Sequence, residues 1–205
     1  MPRDSHQKGD SYEIRSIYFD DYDNNCMMQI EDGVDNRKKY RIRSYDGSAK
    51  FIRLEIKEKI NGYNRKQSCV ISLDEFKSLV DSNSSIPFGS RKQLNELLLR
   101  MKADGMRPKA MIAYERCAYT YPVGNVRITF DRNIAATRYY KDFFEQSPTA
   151  MTAVLPKGMS ILEVKYDELL PDIIAAPLEL GKLRQTSFSK YYIGRRAIMG
   201  DIYNV

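Results

Sequence analysis

Arginine and lysine recur at alternate positions in several segments of this chain. Arg41 and Arg43 flank Ile42, with Tyr40 on the other parity. Arg53, Glu55, Lys57 and Lys59 alternate with Ile52, Leu54 and Ile56, and Tyr114 stands two residues before Arg116. Arg127 alternates with Val126, Ile128 and Phe130, while Glu163 and Lys165 alternate with Leu162, Val164 and Tyr166. Side chains two apart on a strand point to one face, so each segment is predicted to be a strand with an apolar face and a charged face. A sheet that turns one side to water has the same look. The sign of the charge separates the two cases. Arg41, Arg43, Lys57, Arg116, Arg127 and Lys165 stand against Glu55 and Glu163, whereas solvated faces mix their signs and like charges on neighbouring strands repel. A bound anion reconciles such a cluster. The planar arginine fork matches phosphate with two parallel hydrogen bonds, and Glu55 and Glu163 would then hold a hard divalent ion that bridges phosphates.

Other chemistries are poorly supported. His6 is the single histidine and falls in a polar stretch read as a flexible tail, which leaves no histidine for acid–base or metal work. Cys26, Cys69 and Cys117 have no paired ligand spacing, which argues against a zinc site and fits a reduced, cytoplasmic setting. No GxxxxGK[ST] loop and no GxGxxG occurs, so the common phosphate-binding loops are excluded. The net charge of +6 favours an anionic partner. The cations are spread over separate strands, with no basic arm and no RNP-like aromatic motif, which disfavours nucleic acid. No apolar run approaches a membrane span, and the first residues have no secretory pattern.

The elements that must position these residues form an α+β pattern in a single domain. Strands are predicted at Ser11 to Phe19, Lys38 to Tyr45, Lys50 to Ile60 and Arg65 to Ile71, the last two joined by Asn61-Gly62. Asp20 to Asp23 reads as an acidic turn. Ser72-Leu-Asp-Glu75 is a capping box opening a short helix. Leu94, Leu97, Leu98 and Met101 give a second helix from about Arg91 to Asp104. A hairpin of Pro108 to Tyr121 and Asn125 to Asp131 follows, then a loop over Arg138 to Lys157 and a strand over Ser160 to Tyr166. Helices are expected near Pro171 to Leu180 and Ser187 to Met199. Asp131 reads as a turn cap, with a place on the metal through its strand parity with Arg127 as the second reading. Arg195 and Arg196 read as exposed helix-end cations, and Tyr18 and Phe19 as packing residues.

The runs Ile14-Arg-Ser-Ile-Tyr-Phe-Asp20, Lys39-Tyr-Arg-Ile-Arg43, Arg53-Leu-Glu-Ile-Lys57, Tyr114-Glu-Arg116, Val126-Arg-Ile128, Leu162-Glu-Val-Lys165 and Ser187-Phe-Ser-Lys-Tyr191 occur in one order. This series resembles the VTC domain, the catalytic domain of vacuolar transporter chaperone polyphosphate polymerases and their bacterial relatives. The resemblance implies an antiparallel β-barrel, the triphosphate tunnel fold, with a charged interior and helices packed outside. It implies transfer of the terminal phosphate of ATP to a growing polyphosphate chain, assisted by Mn2+ or Mg2+. By motif match, Arg41, Arg43, Lys57, Arg116, Arg127 and Lys190 would bind phosphates, with Tyr114, Lys165 and Lys66 beside them and Glu163 on the metal. The family usually begins with one more strand and a helix, and here only Met1 to Asp10 precede the first predicted strand. An open barrel seam and impaired turnover are therefore expected. Tripolyphosphate or nucleoside-triphosphate hydrolysis, and non-catalytic polyphosphate binding, stand as alternatives. Export of a product would need a membrane partner.

Overall fold

Hairpins organise the first half of the chain. The computed structural model describes residues 1–5, 7, 9–82, 86–148, 150–179 and 185–200. In it β1 (Tyr12–Asp20), β2 (Arg37–Tyr45), β3 (Ile52–Ile60) and β4 (Tyr63–Ile71) pair antiparallel in succession. Asn61 and Gly62 both take positive φ, 48° and 81°, as a two-residue turn between right-twisted strands requires. On its other side β1 pairs with β5 (Arg107–Tyr121), which pairs with β6 (Val126–Thr137). Both β7 (Thr152–Ala153) and β8 (Ser160–Lys165) pair with β6. The sheet order is β4-β3-β2-β1-β5-β6-β7, with β8 also on β6.

The barrel that the resemblance implies is not closed, and its seam is open. Closure requires hydrogen bonds between the first and last strands, and among the described residues β4 pairs with β3 and β8 with β6, with no ladder between β4 and β8. The sheet is nevertheless curled. Lys57 on β3 is subject to the charges of Lys165 and Glu163 on β8, although β2, β1, β5 and β6 lie between them in the sheet order.

Ile17, Phe19, Tyr40, Ile42, Leu54 and Ile56 line the convex face and are buried. They meet α2 (Leu73–Val80), opened by the Ser72–Glu75 capping box, and α3 (Lys92–Ala103), which buries Leu94, Leu97, Leu98 and Met101. Each large aliphatic side chain buried in this way contributes about 1.5–3 kcal/mol. A smaller cluster of Val126, Ile128 and Ile174 seats α4 (Asp172–Leu178) on the outside of β6.

Not every helix packs outside. The C-terminal helix α5 (Lys190–Met199) lies across the charged, concave face. Tyr191 stacks on Tyr18 at 5.1 Å, and Gly194 backs onto β5 and β6. A Cβ at Gly194 would fall 2.0 Å from Ile112 Cδ1 and 3.3 Å from Ala136 Cβ, so the close approach requires glycine. Asp20, read as a turn residue, is instead fully buried at the end of β1. It accepts hydrogen bonds from the amides of Asp21, Cys26 and Met27 and, at 2.5 Å, from the Tyr191 hydroxyl. One carboxylate thus joins β1, α5 and the helix α1 (Asn25–Glu31), which periodicity did not reveal.

Two further expectations change. Residues 2–4 are not a loose tail. Thr120 donates to the Pro2 carbonyl, Asp4 donates to that of Ala118, and Arg3 bridges Tyr119, extending the pairing along β5 past the start of β1. His6 lies outside the described residues. The loop over 138–157 contains a 3-10 turn at Tyr140–Phe144 and the short β7. Buried Arg15, on the convex face, fixes that turn by donating to the carbonyls of Asp142, Phe143 and Glu145.

Candidate functional site

Strand register gathers the predicted cations on the concave face. Across β2 and β3, Lys39 stands opposite Lys57, Arg41 opposite Glu55 and Arg43 opposite Arg53. Across β3 and β4, Lys57 stands opposite Lys66 and Glu55 opposite Ser68. Ser16 and Tyr18 of β1 continue this face. Ile14 and Tyr12 carry it to Tyr114 and Arg116 of β5. On β6, Asp131 lies opposite Arg116 and Arg127 opposite Thr120, and on β8 Glu163 and Lys165 lie opposite Thr129 and Arg127.

The β2–β3–β4 wall is organised around Glu55, which is 1% exposed. Arg41 binds it at 2.6 Å, Lys66 at 2.6 Å and Arg43 at 3.8 Å. Burial alone would raise this carboxyl, but the cations outweigh burial and hold it at about 2. Arg41 also donates to the Tyr18 hydroxyl at 3.0 Å. Burial opposes ionisation of that phenol too, and Arg41 and Arg43 overcome it to lower its pKa. Tyr18 is therefore wall packing with a polar edge.

The β5–β6–β8 wall is organised around Asp131, which is fully buried. Its two oxygens take a bidentate pair from Arg116 at 2.6 and 2.7 Å, and Lys190 of α5 approaches at 2.7 Å. Burial would raise the Asp131 carboxyl, and Arg116 and Lys190 lower it instead. Both cations also sit over the Tyr114 ring, at 5.4 and 4.9 Å from its centre. Glu163 is held by Lys165 at 3.0 Å and by Arg116 at 3.6 Å. Arg127 pairs with Asp4 at 2.9 Å. Arg127 Nε and Thr129 Oγ1 are buried without a hydrogen-bond partner among the described residues.

All the predicted site residues, Arg41, Arg43, Lys57, Lys66, Tyr114, Arg116, Arg127, Lys165, Lys190, Glu55 and Glu163, thus share one face or reach it from α5. Asp131 was read as a turn cap because β6 was expected to end there. The strand runs on to Thr137, which places Asp131 at the centre of the wall. Arg195, read as exposed, is buried and donates to the Lys109 carbonyl and Asn24 Oδ1. Asp4 and Lys39 were not singled out, although Lys39 has the same parity as Arg41.

These carboxylates do not make an all-protein metal cage. Among the described residues no three metal-ligating side chains converge. Glu55 and Asp131 have their oxygens taken by cations, whereas the Glu163 side chain is 37% exposed. This donor set fits a small divalent ion that keeps its water, arrives on phosphate and takes one carboxylate. Among the described residues no helix is long and apolar enough to cross a membrane.

The family model for the VTC domain matches residues 1–199. The chain belongs to the VTC domain family. No curated protein matches this VTC domain, but solved structures do. One is a candidate adenylate cyclase from Bacillus halodurans, with 14% identity and a TM-score of 0.53 over 90% of this chain and 82% of that one. Another is a candidate adenylyl cyclase from Hippeastrum with a dominant triphosphatase activity, at 14% identity and a TM-score of 0.52 over 98% and 88% of the two chains. At this identity the likeness concerns the fold alone.

Proposed function

We propose that this VTC domain is a polyphosphate polymerase. Its curled sheet forms a tunnel for linear condensed phosphate, in which the terminal phosphoryl group of ATP passes to the end of a growing chain. The observation that carries this reading is the accumulation of Arg41, Arg43, Lys57, Lys66, Arg116, Arg127, Lys165 and Lys190 on one sheet face of a VTC-family chain. An oxygen of the acceptor chain forms a new bond to the γ-phosphorus as the bond to the β-phosphate oxygen breaks, and ADP leaves. The acceptor is already an anion, so the step needs no protein base. Positioning and charge neutralisation carry it.

Arg41, Arg43, Lys57 and Lys66 hold phosphates from one wall, and Arg116, Arg127, Lys165 and Lys190 from the other, with Tyr114 supporting Arg116 and Lys190. Glu163 would hold Mn2+ or Mg2+, which would supply neutralisation of phosphate charge. Glu55 organises the arginines rather than the metal. With ATP as donor the protein works in the cytoplasm, and export of the product falls to a separate membrane partner.

Incubation with ATP and Mn2+ tests the reading, with ADP and long phosphate chains as the expected products. Orthophosphate without chains would instead support a triphosphatase, a second reading favoured by the activity of the Hippeastrum neighbour. Binding of polyphosphate with no turnover would leave a binding module.

A further inference from the structure

Most cations of the groove have a carboxylate partner. Arg41, Arg43 and Lys66 share Glu55, Arg116 and Lys190 share Asp131, Lys165 has Glu163, and Arg127 has Asp4. Lys39 and Lys57 have none among the described residues, and they stand directly opposite each other on neighbouring strands. The nearby carboxylate of Asp20 is already engaged by backbone amides and the Tyr191 hydroxyl.

Lys39 is not a lysine waving in solvent. It is half-buried, and its Nζ donates to Ser189 Oγ at 3.2 Å. Ser189 caps α5 by accepting from the Tyr192 amide as well, so Lys39 is tied to the helix that crosses the groove. Partial burial, together with Arg37, Lys57 and Arg41, lowers its pKa to about 8. Lys57 is lowered by burial, Lys165 and Arg41. A desolvated ammonium facing another across a strand pair opposes folding unless an anion joins them.

We infer that Lys39 and Lys57 form a phosphate subsite of their own beside the Arg41–Arg43–Glu55 cluster, and that one phosphoryl group of a linear condensed phosphate bridges them. This rests on the groove being a polyphosphate site and adds Lys39 to the residues that grip the chain. The subsite receives its ligand without displacing a protein carboxylate.

Calorimetric titration of the full chain with tripolyphosphate, in low salt with a chelator present, tests the subsite. Lys39→Gln is expected to weaken binding about tenfold, the loss of one charge-assisted contact, and Lys39→Arg to retain most of the affinity. Arg65→Gln removes the same unit of charge from the opposite face of β4 and should stay within about twofold of the parent, because an exposed, distant charge is screened. Without phosphate, Lys39→Gln should melt at the parent's temperature or above it, since an unpaired charge has been removed.

Lys39→Gln binding as tightly as the parent overturns the subsite alone. Equal losses in Lys39→Gln and Arg65→Gln reduce it to general electrostatics and overturn it too. A lower melting temperature for unliganded Lys39→Gln makes Lys39 a structural residue and also overturns it. A parent that binds no tripolyphosphate overturns the groove reading together with the subsite.

Discussion

The two walls of the groove hold similar cations under different conditions. On β5, β6 and β8, Arg116, Arg127, Lys165 and the incoming Lys190 each meet a carboxylate, from Asp131, Asp4 or Glu163. On β2, β3 and β4 one buried carboxylate serves Arg41, Arg43 and Lys66, and Lys39 and Lys57 have no carboxylate partner among the described residues. The second wall therefore carries the excess positive charge. A phosphate bound as proposed would gain most there, because it would neutralise charge that the fold leaves standing. On the first wall a ligand must share or replace contacts that already exist, and Glu163 is the carboxylate open enough to meet a metal.

The largest effect should come from removing the centre of the positive wall. Glu55→Gln leaves Arg41, Arg43 and Lys66 facing one another, and chemical denaturation should show a loss of about 3–5 kcal/mol in the unliganded protein. Added polyphosphate should restore more stability to this variant than to the parent. If the variant is as stable as the parent without ligand, Glu55 is not what holds that wall together.

Arg41→Ala should come next, weakening polyphosphate binding roughly 30-fold through lost charge-assisted hydrogen bonds. Unchanged binding would make this wall a solvated surface. On the compensated wall, Glu163→Gln should lower Mn2+-supported turnover roughly 10- to 100-fold. Its metal-free polyphosphate affinity should not fall below that of the parent, because Lys165 and Arg116 lose a counter-charge. A variant that lost both equally would assign Glu163 to the architecture of the wall.

A pH titration sharpens the contrast. Lys39 faces Arg37 and Arg41 on β2, Lys57 on β3, Cys26 on α1 and Ser189 at the start of α5. Its pKa of about 8 in the folded protein lies below its ordinary 10.5. Its burial penalty is thus fully present below about 8 and is relieved as pH rises toward 10.5. Over that window, binding of long-chain polyphosphate should weaken while this lysine's contribution to unliganded stability rises. Lys39→Gln should flatten the part due to Lys39 in both profiles. The smallest effect should come from Asp4→Asn. Freeing partly exposed Arg127 should strengthen polyphosphate binding by about 0.2–1 kcal/mol, measurable by titration, and the gain should vanish in an Arg127→Ala background.

Strand parity made the charged face legible, because a period of two places Arg41 with Arg43 and Tyr114 with Arg116 without knowledge of the pairing. Parity does not say what stands across the neighbouring strand. Parity suggests Glu55 as a metal ligand, but it does not show that register puts Arg41 opposite it or that the side chain of Lys66 reaches it. Parity with Arg127 hinted at Asp131, but only the register sets it opposite Arg116 on a strand that continues to Thr137 beyond the bulge opposite Ala113 and Glu115. Short-range composition also failed at Asp20, where the acidic run suggested a turn while the backbone amides of α1 required a buried acceptor. Lys39 could have been found from its spacing to Arg41, but its lack of a counter-charge emerges only from the three-dimensional arrangement. Closure of the sheet depends on contacts between the first and last strands, which no local pattern encodes.

The ion pair between Asp4 and Arg127 has a consequence for ionic strength. A polyanion that binds bare cations releases the salt ions condensed around it, which makes its affinity fall steeply as salt is added. Asp4, Asp131, Glu55 and Glu163 act as counterions fixed in the fold, and they remain close by when the ligand arrives. The salt dependence of polyphosphate binding should therefore be shallower than a count of the groove's arginines and lysines suggests. Dilute electrolyte would strengthen the grip less than it would for an open basic patch of the same formal charge.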